Sequence, residues 1–243
     1  MSISPEEKLE IKKKTHKQLM YVGIFSILMM FAGLSSAYIV SKSDGTWVKI
    51  FPPTVFYWSS LVIVVSSFTY AFAVKQVKKG KNSIGLVWVS LTLILGLTFS
   101  ALQFKGWKYL TETGNYFGFN NVKVVVENQN ARYGEDYVVV YNGNPLNYYN
   151  GEFYDQRDIN YSAPVKKVNL DTSNHSSSYF YMLTGLHLVH LIGGLISLLI
   201  VWLKCLRKKY SENDHIGIKV SEIYWHFLDF LWLYLLGLLY FVG

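Results

Sequence analysis

The sequence has very little cysteine, and this limits the chemistry open to the chain. Cys205 is the single cysteine among 243 residues, which excludes an internal disulfide and any metal or iron–sulfur site built from several cysteines. A phosphate-binding glycine loop and an HExxH metal motif are also missing from the sequence. Nothing in these patterns indicates a nucleotide-dependent or metal-cluster enzyme.

Charged residues are sparse in five long stretches, and these stretches decide the fold class. Each contains roughly 20 mostly apolar residues, the length that crosses the hydrocarbon core of a bilayer as a helix. They cover residues 19–40, 55–74, 84–104, 179–203 and 221–242. We therefore predict an all-α integral membrane protein, a bundle of five transmembrane helices in the lipid bilayer.

The net charge of +7 would indicate a nucleic-acid partner in a soluble protein, but its placement indicates membrane topology instead. Fourteen lysines and arginines lie in three short segments on one side, namely the N-terminal tail, the loop after the second span and the loop after the fourth. The other nine lie on the opposite side, seven of them in one long loop. Because basic loops stay in the cytoplasm, we predict a cytoplasmic N-terminus, a periplasmic C-terminus and no nucleic-acid partner.

The long loop at 105–178 is predicted to be a small β-containing extracytoplasmic insertion. Residues 122–127 and 137–141 have strand composition, and we expect 128–136 to connect them as a hairpin. Asn142-Gly143 and Asn150-Gly151 are further turn signals. The predicted organisation is then residues 1–104 with three spans, the insertion at 105–178, and residues 179–243 with two spans.

The insertion is rich in tyrosine, which offers a large area and a hydrogen-bonding tip at protein interfaces. Its size is marginal for burying all of these side chains in a core of its own. We hypothesise that it docks a neighbouring protein, the alternative being a solvated loop. The tyrosines are Tyr109, Tyr116, Tyr133, Tyr137, Tyr141, Tyr148, Tyr149, Tyr154 and Tyr161.

Polar groups within the last two spans are the candidate functional residues, because such groups are costly inside a membrane. His187 and His190 share a face of the fourth helix, and His226 and Asp229 share a face of the fifth. Glu222 lies at the start of the fifth helix. We favour a structural polar network of these five residues, with His226 or a histidine of the fourth helix as the partner of Asp229. A role in proton supply or lipid-headgroup binding stays open.

Haem ligation is the sharper alternative for the histidines. By span position, we expect His190 and His226 to lie about 10 Å apart in depth at 1.5 Å per residue. That separation is too large for two axial ligands of one iron, so we predict that the chain itself holds no haem or metal.

Other residues near the spans are interpreted as packing and interface groups. Gly193 and Ser197 have the four-residue spacing that allows close helix contact. Tryptophans near the span ends are interpreted as interface anchors, Trp225 and Trp232 among them.

Two C-terminal segments carry a specific resemblance. Residues 180–190, FYMLTGLHLVH, and residues 224–232, YWHFLDFLW, resemble the signatures of subunit III of cytochrome c oxidase and of related quinol oxidases. The residues that match the signature are Thr184, Gly185, His187, His190, Trp225, His226, Phe227, Asp229 and Trp232.

Weaker similarities extend through most of the chain, with three departures. The family usually has seven helices, and the first two are absent from this five-helix form. The outer loop is longer than the family's, and Ile27 stands where the family often has a buried glutamate.

The resemblance implies a non-redox subunit III of a haem–copper terminal oxidase in the bacterial inner membrane. Haem and copper would lie in partner subunits. Subunit I would be the main partner, with subunit II and small subunits, and bound phospholipid is expected. The resemblance further implies that the chain stabilises subunit I and its proton-uptake environment, so that the complex is an enzyme but the chain is not catalytic. The alternatives are a quinol-oxidase subunit III, a stand-alone b-haem membrane protein, and an assembly or docking subunit.

Overall fold

Five long helices dominate the computed structural model, which describes residues 5–42, 45–118, 121–210 and 215–242. They are α1 (Pro5–Ser41), α2 (Thr54–Lys78), α3 (Asn82–Glu112), α5 (His175–Leu206) and α6 (Ile216–Phe241), with a short α4 at Val122–Val126. All five long helices are long and apolar enough to cross a membrane. The predicted helical membrane fold with five spans is confirmed.

The helices differ in how much of their apolar surface the chain itself covers. In the most apolar part of α6, 50% of the residues are buried inside the chain, whereas in α1 the share is 17%. Large apolar side chains of α1 such as Val22 and Phe25 are more than 60% exposed. An apolar helix that is not covered by its own chain needs lipid or a partner helix around it.

A small antiparallel sheet of four strands accompanies the helices. Its strands are β1 (Thr46–Ile50), β2 (Tyr137–Tyr141), β3 (Asn144–Tyr149) and β4 (Glu152–Asp155), in the spatial order β1-β2-β3-β4. β1 pairs with β2 from Thr46 opposite Tyr141 to Ile50 opposite Tyr137. The segment that follows α1 therefore completes the sheet of the insertion, and the predicted β content is confirmed.

Both predicted Asn-Gly turns connect adjacent strands of this sheet. Asn142-Gly143 joins β2 to β3, and Asn150-Gly151 joins β3 to β4. All four residues have positive φ, from 48° at Asn142 to 86° at Gly151. Two-residue hairpins need this backbone conformation at both positions, and asparagine followed by glycine adopts it at the least steric cost.

The first predicted strand, 122–127, was wrong, and so was the hairpin expected at 128–136. Residues Val122–Val126 form the helical turn α4, with Val122 and Val125 buried. The amides of Val122 and Lys123 donate to the carbonyls of Thr172 and Leu170, so a distant segment provides acceptors for the first amides of this turn. The partner of β2 is β1, which lies about 90 residues earlier in the chain.

The chain divides into two compact units. One comprises Met1–Ala32, Trp58–Ala101 and His187–Leu233, and contains the histidines and the carboxylates of the candidate site. The other comprises Gly33–Tyr57, Leu102–Leu186 and Tyr234–Gly243, and contains the sheet and α4. The three-part division predicted from the sequence stays a prediction.

Candidate functional site

Two tryptophans of α6 donate hydrogen bonds to serines of α2. Nε1 of Trp225 donates to the Ser66 hydroxyl at 3.0 Å, and Nε1 of Trp232 donates to the Ser60 hydroxyl at 2.9 Å. Both indoles are buried, and Trp232 also packs edge-on against Phe99 at 5.3 Å. The prediction that these tryptophans are membrane-interface anchors was wrong, because they hold α6 to α2 inside the chain.

His187 lies in the core and uses its ring nitrogen within the chain. Its Nε2 donates to the backbone carbonyl of Leu228 on α6 at 3.1 Å. The ring lies 5.3 Å from that of Trp232 and 6.0 Å from that of Phe99. With 1% of its surface exposed, His187 fixes α5 against α6 and offers no open side to a ligand.

The predicted difference in depth between His190 and His226 was wrong. The Tyr224 hydroxyl, two residues before His226, donates to the carbonyl of His190 at 3.1 Å, so the two histidines lie at similar levels on α5 and α6. Direction separates them instead. The His190 ring packs against Phe31 of α1, whereas the His226 ring bonds to Ser67 of α2.

A polar stripe runs along α6 from its N-terminal turn towards its middle. Lys219 donates to Glu222 at 2.5 Å, and Nε2 of His226 lies 3.8 Å from the other oxygen of Glu222. The Ser67 hydroxyl of α2 hydrogen-bonds Nδ1 of His226. Glu222 is 6% exposed, so its charge is balanced mainly by Lys219 rather than by water.

Asp229 ends this stripe one turn beyond His226. It is 4% exposed, and neither carboxyl oxygen has a hydrogen-bond partner among the residues that the structure describes. Ser67 and His226 are its polar neighbours, but the expected pairing with a histidine is not made. Lys219, Glu222, His226 and Ser67 each bond or pair within the stripe, whereas Asp229 does not. The role of the predicted network of His187, His190, His226, Asp229 and Glu222 stays a prediction.

In the other unit, Thr184 of the signature receives a hydrogen bond from Trp107. The indole Nε1 donates to the Thr184 hydroxyl at 3.1 Å, and that hydroxyl donates to the carbonyl of Phe180. A Cβ added at Gly185 would lie 4.0 Å from the same indole. Thr184 and Gly185 of α5 therefore form the surface against which Trp107 of α3 packs.

Close helix packing centres on Trp225 and the glycines around it. A Cβ at Gly96 of α3 would lie 2.7 Å from the Trp225 ring, and one at Gly194 of α5 would lie 2.8 Å from Leu228. At Gly193, which the sequence singles out, the nearest atom would be the Tyr224 hydroxyl at 3.7 Å. The tight contact is therefore made by Gly194, one residue after Gly193. Ser197 donates a hydrogen bond to the Ser221 hydroxyl at 2.8 Å.

Several polar side chains of this site already have partners within the chain. Across the described ranges, no three His, Cys, Asp or Glu side chains come close enough to hold a metal ion. His187 uses its Nε2 for Leu228, and His226 uses its Nδ1 for Ser67, while its Nε2 lies 3.8 Å from Glu222. Cys205 is free and buried. The site is chemically a set of helix-to-helix contacts.

An apolar groove of about 450 Å³ lies beside this set in the same unit. Its walls come from α1, α5 and α6, and the polar groups on them are His16, Ser197 and Tyr224. The remaining lining residues are Leu19, Met20, Gly23, Ile24, Ile27 and Val220. Ile27, which the resemblance aligns with a glutamate position, lines this apolar space.

The serines of α2 make contacts with the candidate site that were not predicted from the sequence. Ser59-Ser60 and Ser66-Ser67 are two pairs spaced seven residues apart, which is two helical turns. Hydroxyl pairs repeated on one face of an apolar helix indicate a polar contact line to another helix. This spacing is the signal from which the partners of Trp225, Trp232 and His226 were predictable.

Comparisons with known proteins agree with the C-terminal signature. A family model described as cytochrome c oxidase subunit III matches residues 166–243. The chain is 23% identical over 227 residues to cytochrome c oxidase subunit 3 of Thermostichus vulcanus, covering 90% of this chain and 83% of that protein. It is 26% identical over 232 residues to a probable cytochrome c oxidase subunit 3 of Nocardia farcinica, covering 91% and 85%. The Drosophila yakuba subunit is 42% identical over 66 residues, covering 27% and 25%.

Proposed function

We propose that this chain, which belongs to the cytochrome c oxidase subunit III family, is the non-redox subunit III of a haem–copper terminal oxidase. The comparisons support the oxidase role and do not favour the alternatives, which were a quinol-oxidase subunit III, a stand-alone b-haem membrane protein, and an assembly or docking subunit. The complex reduces oxygen in aerobic electron transport, and this chain contributes to it as a membrane subunit.

The observation that carries the non-catalytic assignment is how the signature residues use their polar atoms. Trp225, Trp232 and His187 direct theirs to groups of α2 and α6 within the chain. Side chains committed in this way maintain the helix packing and are not available to a substrate or a metal. Haem and copper then lie in the partner subunits, where the redox chemistry takes place.

The groove of about 450 Å³ between α1, α5 and α6 is suited to phospholipid. Its walls are apolar, and His16 and Lys17 lie on the part of α1 at one end of the span. An acyl chain in the groove would place its headgroup near these basic side chains. Bound phospholipid would fill the space left open by the absent side chain of Gly23 and the short one of Ser197.

Subunit I is the proposed main partner, with subunit II and small subunits around it. The weakly covered surface of α1 supports a neighbour in the membrane, since its apolar side chains extend away from the chain. The proposed location is the bacterial plasma membrane, with the N-terminus in the cytoplasm and the C-terminus in the periplasm. The placement of the fourteen basic residues supports this orientation.

The sheet-containing insertion is proposed as a docking surface for a neighbouring subunit or another respiratory complex. Tyr137 and Tyr154 are buried, so part of the tyrosine set forms a small core. Tyr149 and Tyr161 stack at 4.7 Å on the outside, and Ile159 is 84% exposed. An exposed aromatic pair beside an exposed aliphatic side chain is typical of the centre of a protein interface.

Purification through an affinity tag on this chain tests the proposed function. In mild detergent, we expect a complex that contains haem, copper and a subunit I, and that reduces oxygen with an electron donor. The isolated chain should show no Soret band. A Soret band in the isolated chain that His190→Ala or His226→Ala removes would contradict the proposal.

A further inference from the structure

The buried carboxyl of Asp229 has a chemical environment that the support role does not explain. It is 4% exposed in the middle of α6, and its two oxygens lack hydrogen-bond partners among the described residues. The groups around it are Ser67 from α2 and His226 from α6 itself. An ionised carboxylate in such a place would be far more costly than a neutral one.

A set of neighbouring proton-carrying groups leads from Asp229 to the end of the helix. Ser67 lies near the Asp229 carboxyl and hydrogen-bonds Nδ1 of His226, whose Nε2 lies 3.8 Å from Glu222. Glu222 in turn accepts a hydrogen bond from Lys219. From Lys219 to Asp229 the stripe covers about 15 Å along the helix axis at 1.5 Å per residue.

Each member of this set can accept one proton and release another. A hydroxyl and an imidazole do so on opposite sides, and a carboxyl does so at its two oxygens. Asp229 is 4% exposed, whereas the side chains of His226 and Lys219 are 37% and 35% exposed, with Glu222 at 8% between them. One end of the set therefore lies in the protein interior and the other end reaches the helix terminus.

We propose that Asp229 is a proton-binding site, held as the neutral acid, that exchanges its proton through Ser67, His226 and Glu222 with the Lys219 end of α6. The carboxyl proton of Asp229 moves to the Ser67 oxygen as the Ser67 hydroxyl proton moves to Nδ1 of His226, which leaves Asp229 as a carboxylate until a proton returns through the same groups. The proton on Nε2 of His226 moves to Glu222, which releases one proton to water. One proton leaves the site and no electrons move.

Infrared spectroscopy of the complex purified through this chain tests the proposal. We expect a carbonyl band of a protonated carboxylic acid that is absent in Asp229→Asn and shifts in D₂O. Ser67→Ala should slow this shift by about tenfold, which corresponds to a barrier higher by about 1.36 kcal/mol. Ser66→Ala is the matched control, because its hydroxyl serves Trp225 rather than His226.

Three results would overturn the proposal. The first is an infrared spectrum in which Asp229→Asn removes no protonated-carboxyl band, because Asp229 would then be ionised. The second is equal rates of deuterium exchange in Ser67→Ala and Ser66→Ala. If the Asp229→Asn complex does not assemble, the two serine variants still test the proposal. The carboxyl band should change frequency in Ser67→Ala and stay unchanged in Ser66→Ala. The third refuting result is the same band frequency in both variants. The infrared measurement needs no oxidase activity, so its failure would leave the proposed function intact.

Discussion

The contact between α5 and α6 can be tested with a pair of adjacent glycines. Gly194 is buried against α6, and an added Cβ would lie 2.8 Å from Leu228 Cδ1 and 3.3 Å from the Trp225 ring. Leu228 and Trp225 are both almost fully buried, so neither has free space to move into. Gly193→Ala, by contrast, would meet only the Tyr224 hydroxyl at 3.7 Å.

The pair isolates the packing contribution because both changes are glycine to alanine in the same helix. Alanine favours the helix over glycine by about 0.5–1 kcal/mol at either position, and this gain cancels in the comparison. Overpacking a filled core costs about 1–3 kcal/mol. We expect the free energy of unfolding of Gly194→Ala to be lower than that of Gly193→Ala by about this amount.

Unfolding of the purified chain in mixed micelles, titrated with SDS and followed by circular dichroism, measures this difference. A difference of about 1.4 kcal/mol changes the unfolding equilibrium tenfold, which such titrations resolve. The unfolding midpoint of the wild type should lie between those of the two variants or close to that of Gly193→Ala. Equal unfolding midpoints for the two variants would show that α5 and α6 do not meet at Gly194.

Three further predictions concern topology, the sheet and docking. After the native cysteine is replaced, a cysteine at exposed Asn142 should react with an impermeant reagent in intact cells and one at exposed Lys81 should not; labelling at Lys81 would reject the orientation. Burial raises the pKa of Tyr133 to about 12 from 10.0, so the folded state holds the proton more tightly, and stability present below about pH 10 is lost towards pH 12. The variant Tyr133→Phe should lose less stability between about pH 10 and pH 12 when unfolding is followed by near-ultraviolet circular dichroism. The same pH dependence of stability in the variant and the wild type would exclude this role of Tyr133. Ile159→Asp should reduce co-migration with partners in native gels, whereas the exposed control Asn160→Asp should not; equal co-migration would refute docking through this surface.

The five spans were predictable because each is determined by local composition. Roughly 20 apolar residues must form a helix in lipid, since every backbone amide needs a partner there. The hairpins at Asn142-Gly143 and Asn150-Gly151 were predictable for a similar reason, as the dipeptide itself favours the positive φ that the turn requires. The conformation of these confirmed elements is determined by residues that are close together in the sequence.

The elements that were missed depend on contacts between distant residues. The valines at 122–126 favour a strand by composition, but they form a turn of helix whose first amides bond to residues near 171. The strand at Thr46–Ile50 is short and follows a transmembrane helix, and its partner lies beyond three further helices, α2, α3 and the short α4. Composition contains no information about such pairings.

The candidate site shows the same division. The sequence singles out His187, His226, Asp229 and Glu222 because polar groups are rare in spans, and the structure describes their surroundings in full. The sequence alone could not assign the partners of these residues, because the rotation of α6 about its axis decides whether His226 faces Ser67 or α5. The depth of His190 was misjudged because uncertain span ends shift one helix along another by several ångströms.

The central claim, that this chain supports a haem–copper oxidase without taking part in the redox chemistry, is tested most directly by oxygen consumption of the oxidase prepared with and without it. We predict the same initial rate of oxygen reduction in both preparations, followed by faster loss of activity during turnover when the chain is absent. Adding the chain back should restore the longer active period. An immediate loss of nearly all oxygen reduction in an otherwise intact, haem-loaded complex would contradict the claim.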